Sequence, residues 1–168
     1  MAKRIGQKVV KLLSSSSLLL AVALLLSCDG TVYNRFVSVE DDGWGICDTI
    51  TYVSEGTAIG NVEPNVGLCV QVRYDASFKY KELWFRTETT NLADSSLVSV
   101  DTLCCVVYDD EGCHKGCSAG ALYQNESDVV RLPVLSSDTL MIRLSHIMSD
   151  TSLVGIRDVG IKLATSSK

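Results

Sequence analysis

Val66-Gly67-Leu68-Cys69-Val70-Gln71-Val72-Arg73-Tyr74 is the stretch on which the fold turns. Val66, Leu68, Val70, Val72 and Tyr74 fall on one side of an extended chain, and Gly67, Cys69, Gln71 and Arg73 on the other. A period of two residues is that of a half-buried strand. Leu140, Ile142, Leu144, His146 and Met148 repeat the pattern against Met141, Arg143, Ser145 and Ile147. Working outward, β-rich runs recur at Thr31–Val39, Thr49–Val53, Glu82–Thr89, Leu97–Tyr108, Val129–Leu135 and Val159–Leu163. Turn-forming residues separate them, as in Asp41-Asp42-Gly43, Glu63-Pro64-Asn65, Asn91–Ser96, Asp109–Gly112 and Ser136-Ser137-Asp138. No segment sustains a helical period, so no helix is available as a crossover. The expectation is an all-β, antiparallel, jelly-roll-like β-sandwich of about eight strands. Pro133 lacks an N–H to give to a ladder, which puts Val129–Leu135 at a sheet edge or on a bulge.

The first residues read differently. Lys3, Arg4, Lys8 and Lys11 form a cationic start without acids, and Leu18–Leu26 is an apolar core too short to span a bilayer. Leu24-Leu25-Leu26-Ser27-Cys28 then places a cysteine where lipoprotein signal peptidase cuts. This reading makes residues 1–27 a signal peptide, Cys28 the lipidated first residue, 28–30 a short tether and 31–168 a single domain. An ordinary secretory peptide or an uncut anchor helix would be the alternatives. Two or three acyl chains suffice for stable anchoring, where one is marginal. Cleavage removes four of the 15 basic residues and none of the 20 acids, leaving 11 against 20, a net charge of −9. So acidic a surface excludes a nucleic-acid footprint and electrostatic adhesion to anionic lipid. Asp29 is the lone acid before Glu40, so no acidic export tether is present and the periplasmic leaflet is favoured over the cell surface.

Beyond Cys28 stand Cys47, Cys69, Cys104, Cys105, Cys113 and Cys117. Six cysteines allow 15 connectivities, and an exported compartment permits bridges. Cys113 and Cys117 enclose a three-residue insert, and a turn there would bring them within bridging distance; the others are left unassigned. Neighbouring Cys104 and Cys105 leave opposite faces of a strand. Free thiols are the second reading. A zinc site of Cys105, Cys113, His114 and Cys117 is the third, although its spacing fits no common module. No metal or cofactor is assigned. His146 shares a face with Leu140, Ile142 and Leu144 and reads as a core imidazole rather than a base or ligand. Neither histidine lies in a His-Glu-x-x-His motif, and no nucleophile elbow or phosphate-cradling glycine loop occurs. The acidic stretches Asp41-Asp42 and Asp109-Asp110-Glu111 read as solvated loop tips, with calcium as the alternative. Asp158 reads as an ion-pair partner or turn cap. Trp84 and Phe85 must face opposite ways, one into the core and one outward. Trp44 and Trp84 are therefore candidates for an interaction surface, and a sugar-binding platform would need both to cluster with Tyr80.

An ordered set of short signatures fills the C-terminal third: Arg131-Leu132-Pro133, Ser145-His146-Ile147-Met148 and Leu153-Val154-Gly155-Ile156-Arg157-Asp158-Val159-Gly160-Ile161. Together with Gly43-Trp44 after the lipobox and Val100-Asp101-Thr102-Leu103 in mid-chain, the set resembles the gliding motility lipoprotein family GldH of Bacteroidetes. The resemblance runs from about Cys28 to Leu163. It implies a non-enzymatic, outer-membrane lipoprotein that works with envelope proteins of the gliding and surface-protein secretion machinery. A carbohydrate-type binding sandwich and a Cys/His metal or thiol protein are the alternatives. The loop from Cys113 to Cys117 is a departure from the family pattern.

Overall fold

In a computed structural model of the chain, residues 30–56 and 64–165 are described; the signal peptide, Cys28 and the C-terminal residues 166–168 lie outside them. Twelve strands and no helix occur among the described residues: β1 Thr31–Ser38, β2 Trp44–Gly45, β3 Ile50–Ser54, β4 Pro64–Tyr74, β5 Glu82–Asn91, β6 Ser96–Val106, β7 Cys117–Ala119, β8 Leu122–Glu126, β9 Val130–Leu135, β10 Leu140–His146, β11 Ser152–Leu153 and β12 Ile156–Thr165. Eight of these coincide with the eight β-rich runs of the sequence. The other four, β2, β7, β8 and β11, are five residues or shorter and sit in what reads as loop.

The pairing is nested. β1 pairs β12, β3 pairs β10, β4 pairs β9 and β5 pairs β6, all antiparallel. Successive pairs alternate between two sheets: β1-β12-β4, with β9 and the β8–β7 hairpin both on the far side of β4, and β3-β10-β5-β6. A long hairpin wound so that its rungs fall alternately on two facing sheets is a jelly roll. The eight long strands make the roll, and β2 with β11 forms a separate two-stranded ribbon. Pro133 behaves as its chemistry requires, since β9 pairs β4 alone and the register slips between Pro64 and Val66.

The core lies between the sheets. Val66, Leu68, Val70, Val72 and Tyr74 of β4 are all buried and face Leu83 and Phe85 of β5 and Ile142 and Leu144 of β10 across it. Each such side chain contributes about 1.5–3 kcal/mol relative to exposure. Tyr74 satisfies its hydroxyl on the carbonyls of Val107 and Lys115, both at 3.2 Å. Tyr52 of β3 donates across the core to the Val159 carbonyl, 2.7 Å away, and burial raises its phenol pKa.

The roll has two distinct ends. Gly30, Thr165, Pro64 and Leu135 meet at one end: the Thr165 N–H bonds the Gly30 carbonyl at 2.9 Å, and Pro64 opposes Leu135. The start of β10 lies at this end too, opposite Ser54 and Asn91. At the other end are the Tyr74–Phe78 turn, the Trp44 ribbon, the Val107–Lys115 hairpin and the close of β10 at His146. Gly30, the first described residue, therefore lies at the end opposite Trp84.

Candidate interaction surface

Trp84 and Phe85 separate as alternation demands: Phe85 is fully buried, while Trp84 is 40% exposed on the outer face of β5. No loop among the described residues covers the indole. Its Nε1 donates to Glu82 at 3.1 Å, Cys104 lies directly across the ladder, and the Trp84 carbonyl accepts from the N–H of exposed Ile147 at 3.0 Å. Trp84 and Ile147 thus form a pair of large apolar side chains held in place by strand hydrogen bonds.

Trp44 corrects the sequence expectation. It is 1% exposed, its Nε1 donates to the Asp48 carbonyl at 3.0 Å, and its ring packs edge-on to His146 with centroids 5.2 Å apart. It is a core residue, carried inward by β2, a strand too short to show a period. Tyr80 is half-buried and bonds Asp150, so Trp44, Trp84 and Tyr80 do not assemble into a sugar-binding platform.

His146 is a core imidazole. Nε2 donates to the Trp44 carbonyl at 3.1 Å, leaving buried Nδ1 without a hydrogen-bond partner among the described residues. Burial lowers its pKa and keeps the ring neutral.

The six described cysteines are free thiols, so Cys113 and Cys117 are unbridged in this structure. Both are exposed, as is Cys47, whereas Cys69 and Cys105 are buried. Burial, with nearby Glu126, pushes the Cys69 thiol up to about 11, and burial pushes Cys105 up to about 12. Cys105 points into the core while Cys113 and Cys117 face solvent, and His114 stacks on Tyr123 at 3.5 Å between centroids. The set weighed for zinc is not gathered, and no group of three or more His, Cys, Asp or Glu suited to a metal occurs among the described residues. In the acidic loop, Asp109 accepts from the N–H groups of Glu111 at 3.1 Å and Cys113 at 2.7 Å, so it caps its own turn.

The C-terminal signature proves to be scaffold. Gly155 has φ of +93°, and a side chain there would run into the Phe78 backbone. Ile156, Val159 and Ile161 enter the core. Arg157 pairs Asp75 at 2.8 Å and Asp41 at 3.2 Å, fastening two distal loops to β12. Asp158 accepts from Ser38 at 2.7 Å and pairs Arg73 at 3.7 Å. At Gly160 a Cβ would come within 2.8 Å of the Phe36 ring, which lies flat across the strand under the Arg73 guanidinium, 3.9 Å from the ring centre.

The fold is thus an antiparallel jelly roll whose most distinctive motif fastens strands and loops. The profile of the GldH lipoprotein family matches residues 31–163, and the chain belongs to that family. A search among curated proteins finds no match. Among solved structures, the chain is similar to dimeric latent PorU from Porphyromonas gingivalis, at 10% identity and a TM-score of 0.32, covering 80% of this chain and 13% of that one. It is also similar to the K1 cleaved adhesin domain of Lys-gingipain from P. gingivalis W83, at 12% identity and a TM-score of 0.29, covering 83% and 95%. A third, Eiger TNF from S. frugiperda, has 15% identity and a TM-score of 0.24, covering 63% of each chain. The chain thus spans less than two thirds of the Eiger and PorU chains.

Proposed function

We propose that this protein is a non-enzymatic lipoprotein of the outer-membrane gliding or surface-protein secretion apparatus, anchored through acylated Cys28 on the periplasm-facing leaflet. It acts by holding an envelope protein against Trp84 and Ile147. The observation that carries the reading is the position of that pair: an uncovered indole and an isoleucine on a rigid strand face, at the end of the domain remote from the tether. A few aromatic anchors supply most of the energy of a protein interface. Membership of the GldH lipoprotein family supports the anchoring and the apparatus.

The test is deletion and complementation. In a gliding host, loss of the protein abolishes surface spreading or adhesin delivery. Wild type restores it, and Cys28→Ala, which cannot be acylated, does not. Crosslinking in the native envelope captures an envelope protein, and Trp84→Ala loses it. Motility and secretion both intact in the deletion strain, or capture of glycan alone, overturns the reading.

A further inference from the structure

The tether is so short that the end of the roll it leaves must meet whatever the lipid is embedded in. Cys28 precedes Gly30 by two residues, a reach of about 7 Å at full extension. Gly30 itself is fixed to Thr165. The polar layer on one side of a bilayer is roughly 5–8 Å deep. The end of the domain carrying Gly30 is therefore confined to that layer.

That end is furnished for it. The lowest outward row of the second sheet runs Val53, Met141, Thr90, Leu97 across β3, β10, β5 and β6. It carries no charge, and Leu97 is 63% exposed. Leu92 and Leu135 extend the apolar edge below it, both exposed, with Leu92 tied to Thr139 by a 2.9 Å backbone bond. The next row up, about 7 Å along the strands, reads Thr51, Arg143, Glu88, Val100, and there Glu88 pairs Arg143 at 3.7 Å and Arg86 at 2.9 Å. The change from apolar to charged falls between two adjacent rows. On the first sheet Ala164 and Gly67 oppose each other at the lowest outward level, on the floor of a groove of about 220 Å³, with exposed Arg131 beside Gly67 at that same level and Lys162 two residues higher. Two carboxylates at this end are turned onto their own backbone, Asp94 onto the Ser96 N–H at 3.0 Å and Asp138 onto the Leu135 N–H at 2.9 Å, while Glu55, next to Ser54, is exposed.

We infer that the tethered end of the jelly roll is a membrane-seating surface, with Leu92, Leu97, Leu135 and Val53 dipping into the lipid interface and the Arg143–Glu88 row at the level of the head groups. The occupant is a phospholipid surface, chosen by the two-residue tether and the step from apolar to charged. The inference rests on acylation of Cys28. It makes the domain stand upright, so that Trp84 projects away from the membrane.

The full lipidated chain is reconstituted in phosphatidylethanolamine–phosphatidylglycerol vesicles whose acyl chains carry bromine, a contact quencher of indole fluorescence. The indole introduced by Leu97→Trp loses most of its added emission, that introduced by Val100→Trp loses less, and native Trp84 loses none. Mass spectrometry of the N-terminal peptide reports the lipid on Cys28 in the same samples, and unchanged melting temperatures certify the variants. A lipidated Leu97→Trp protein quenched no more than wild type overturns the seating alone. An unmodified Cys28 overturns the lipidation reading and the seating with it.

Discussion

The two sheets of the roll invert each other. Along β4 and β12 of the first sheet the inner row is aliphatic, with Tyr74 as its one polar side chain and that hydroxyl doubly bonded. The outer face there carries ion pairs, Arg73–Asp158 and Lys162–Glu126, both at 3.7 Å. In β5 and β6 of the second sheet the inner row turns polar partway: Thr87 faces Asp101 and Thr89 faces Ser99, and buried oxygens of all four lack hydrogen-bond partners among the described residues. Its outer face also holds ion pairs, Arg86–Glu88 and Arg143–Glu88, but carries Val53, Trp84, Leu97 and Val100 in the open around them. An unpaired buried oxygen costs about 1–3 kcal/mol. The inner row of β4 and β12 thus carries no such cost, whereas that of β5 and β6 does, on strands that present apolar contacts outward. Local conflict of this kind concentrates where function constrains a sequence.

Breaking the stable side gives the largest effect. Leu68→Ala leaves a cavity under β4 and lowers unfolding free energy by about 2–5 kcal/mol, read by urea titration; a loss below that range means the first sheet is not the principal support. On the second sheet, His146→Ala removes a packed, hydrogen-bonded ring and costs roughly 1–3 kcal/mol. The same residue sets a pH signature. Its folded pKa is depressed from the ordinary value of 6.5. The unfolded chain takes up the proton first, so this contribution is intact above about 6.5 and is lost as pH falls below it. Melting temperature therefore drops between pH 7 and 5, and less steeply in His146→Ala; identical slopes would remove the burial account.

Thr87→Val carries the opposite sign. Removing an unpaired hydroxyl stabilises the domain by about 1 kcal/mol, and destabilisation would show that the oxygen holds a ligand or water. Trp84→Ala, on the outer face of the same strand, changes stability by less than about 0.5 kcal/mol while abolishing partner capture; a large fall in melting temperature would make it a packing residue. The smallest effect falls on the thiols. Maleimide labels Cys47, Cys113 and Cys117 in the folded protein at neutral pH and spares buried Cys69 and Cys105. Labelling of Cys113 and Cys117 only after reduction would restore the bridge expected from their spacing.

The fold was legible wherever a strand was long enough to show its period. Val66–Tyr74 and Leu140–His146 declare their buried faces in alternating residues, and Pro133 announces an edge through its missing N–H. Phe85 and Trp84 part company by parity alone. Trp44 was illegible because β2 has two residues, and its burial comes from pairing with Leu153, more than a hundred positions away. The ribbon and the β7–β8 hairpin escaped for the same reason. The scaffold role of Gly155 and Gly160 needed the structure, because the atoms that exclude a side chain belong to Phe78 in the turn after β4 and to Phe36 on β1. No local pattern encodes those approaches.

Pairing of the first long strand with the last imposes an order of events. β1 finds its hydrogen-bond partner in β12, so the segment that follows Gly30 stays without its neighbour until β12 has been made. Ladders between such distant segments close late and slowly. On the proposed lipidation of Cys28, the acylating and cleaving enzymes would meet an N-terminus still open, before the roll shuts. Once β12 docks, the strand that follows Gly30 is held by a segment more than a hundred residues downstream, and a chain lacking β12 would leave β1 without its ladder.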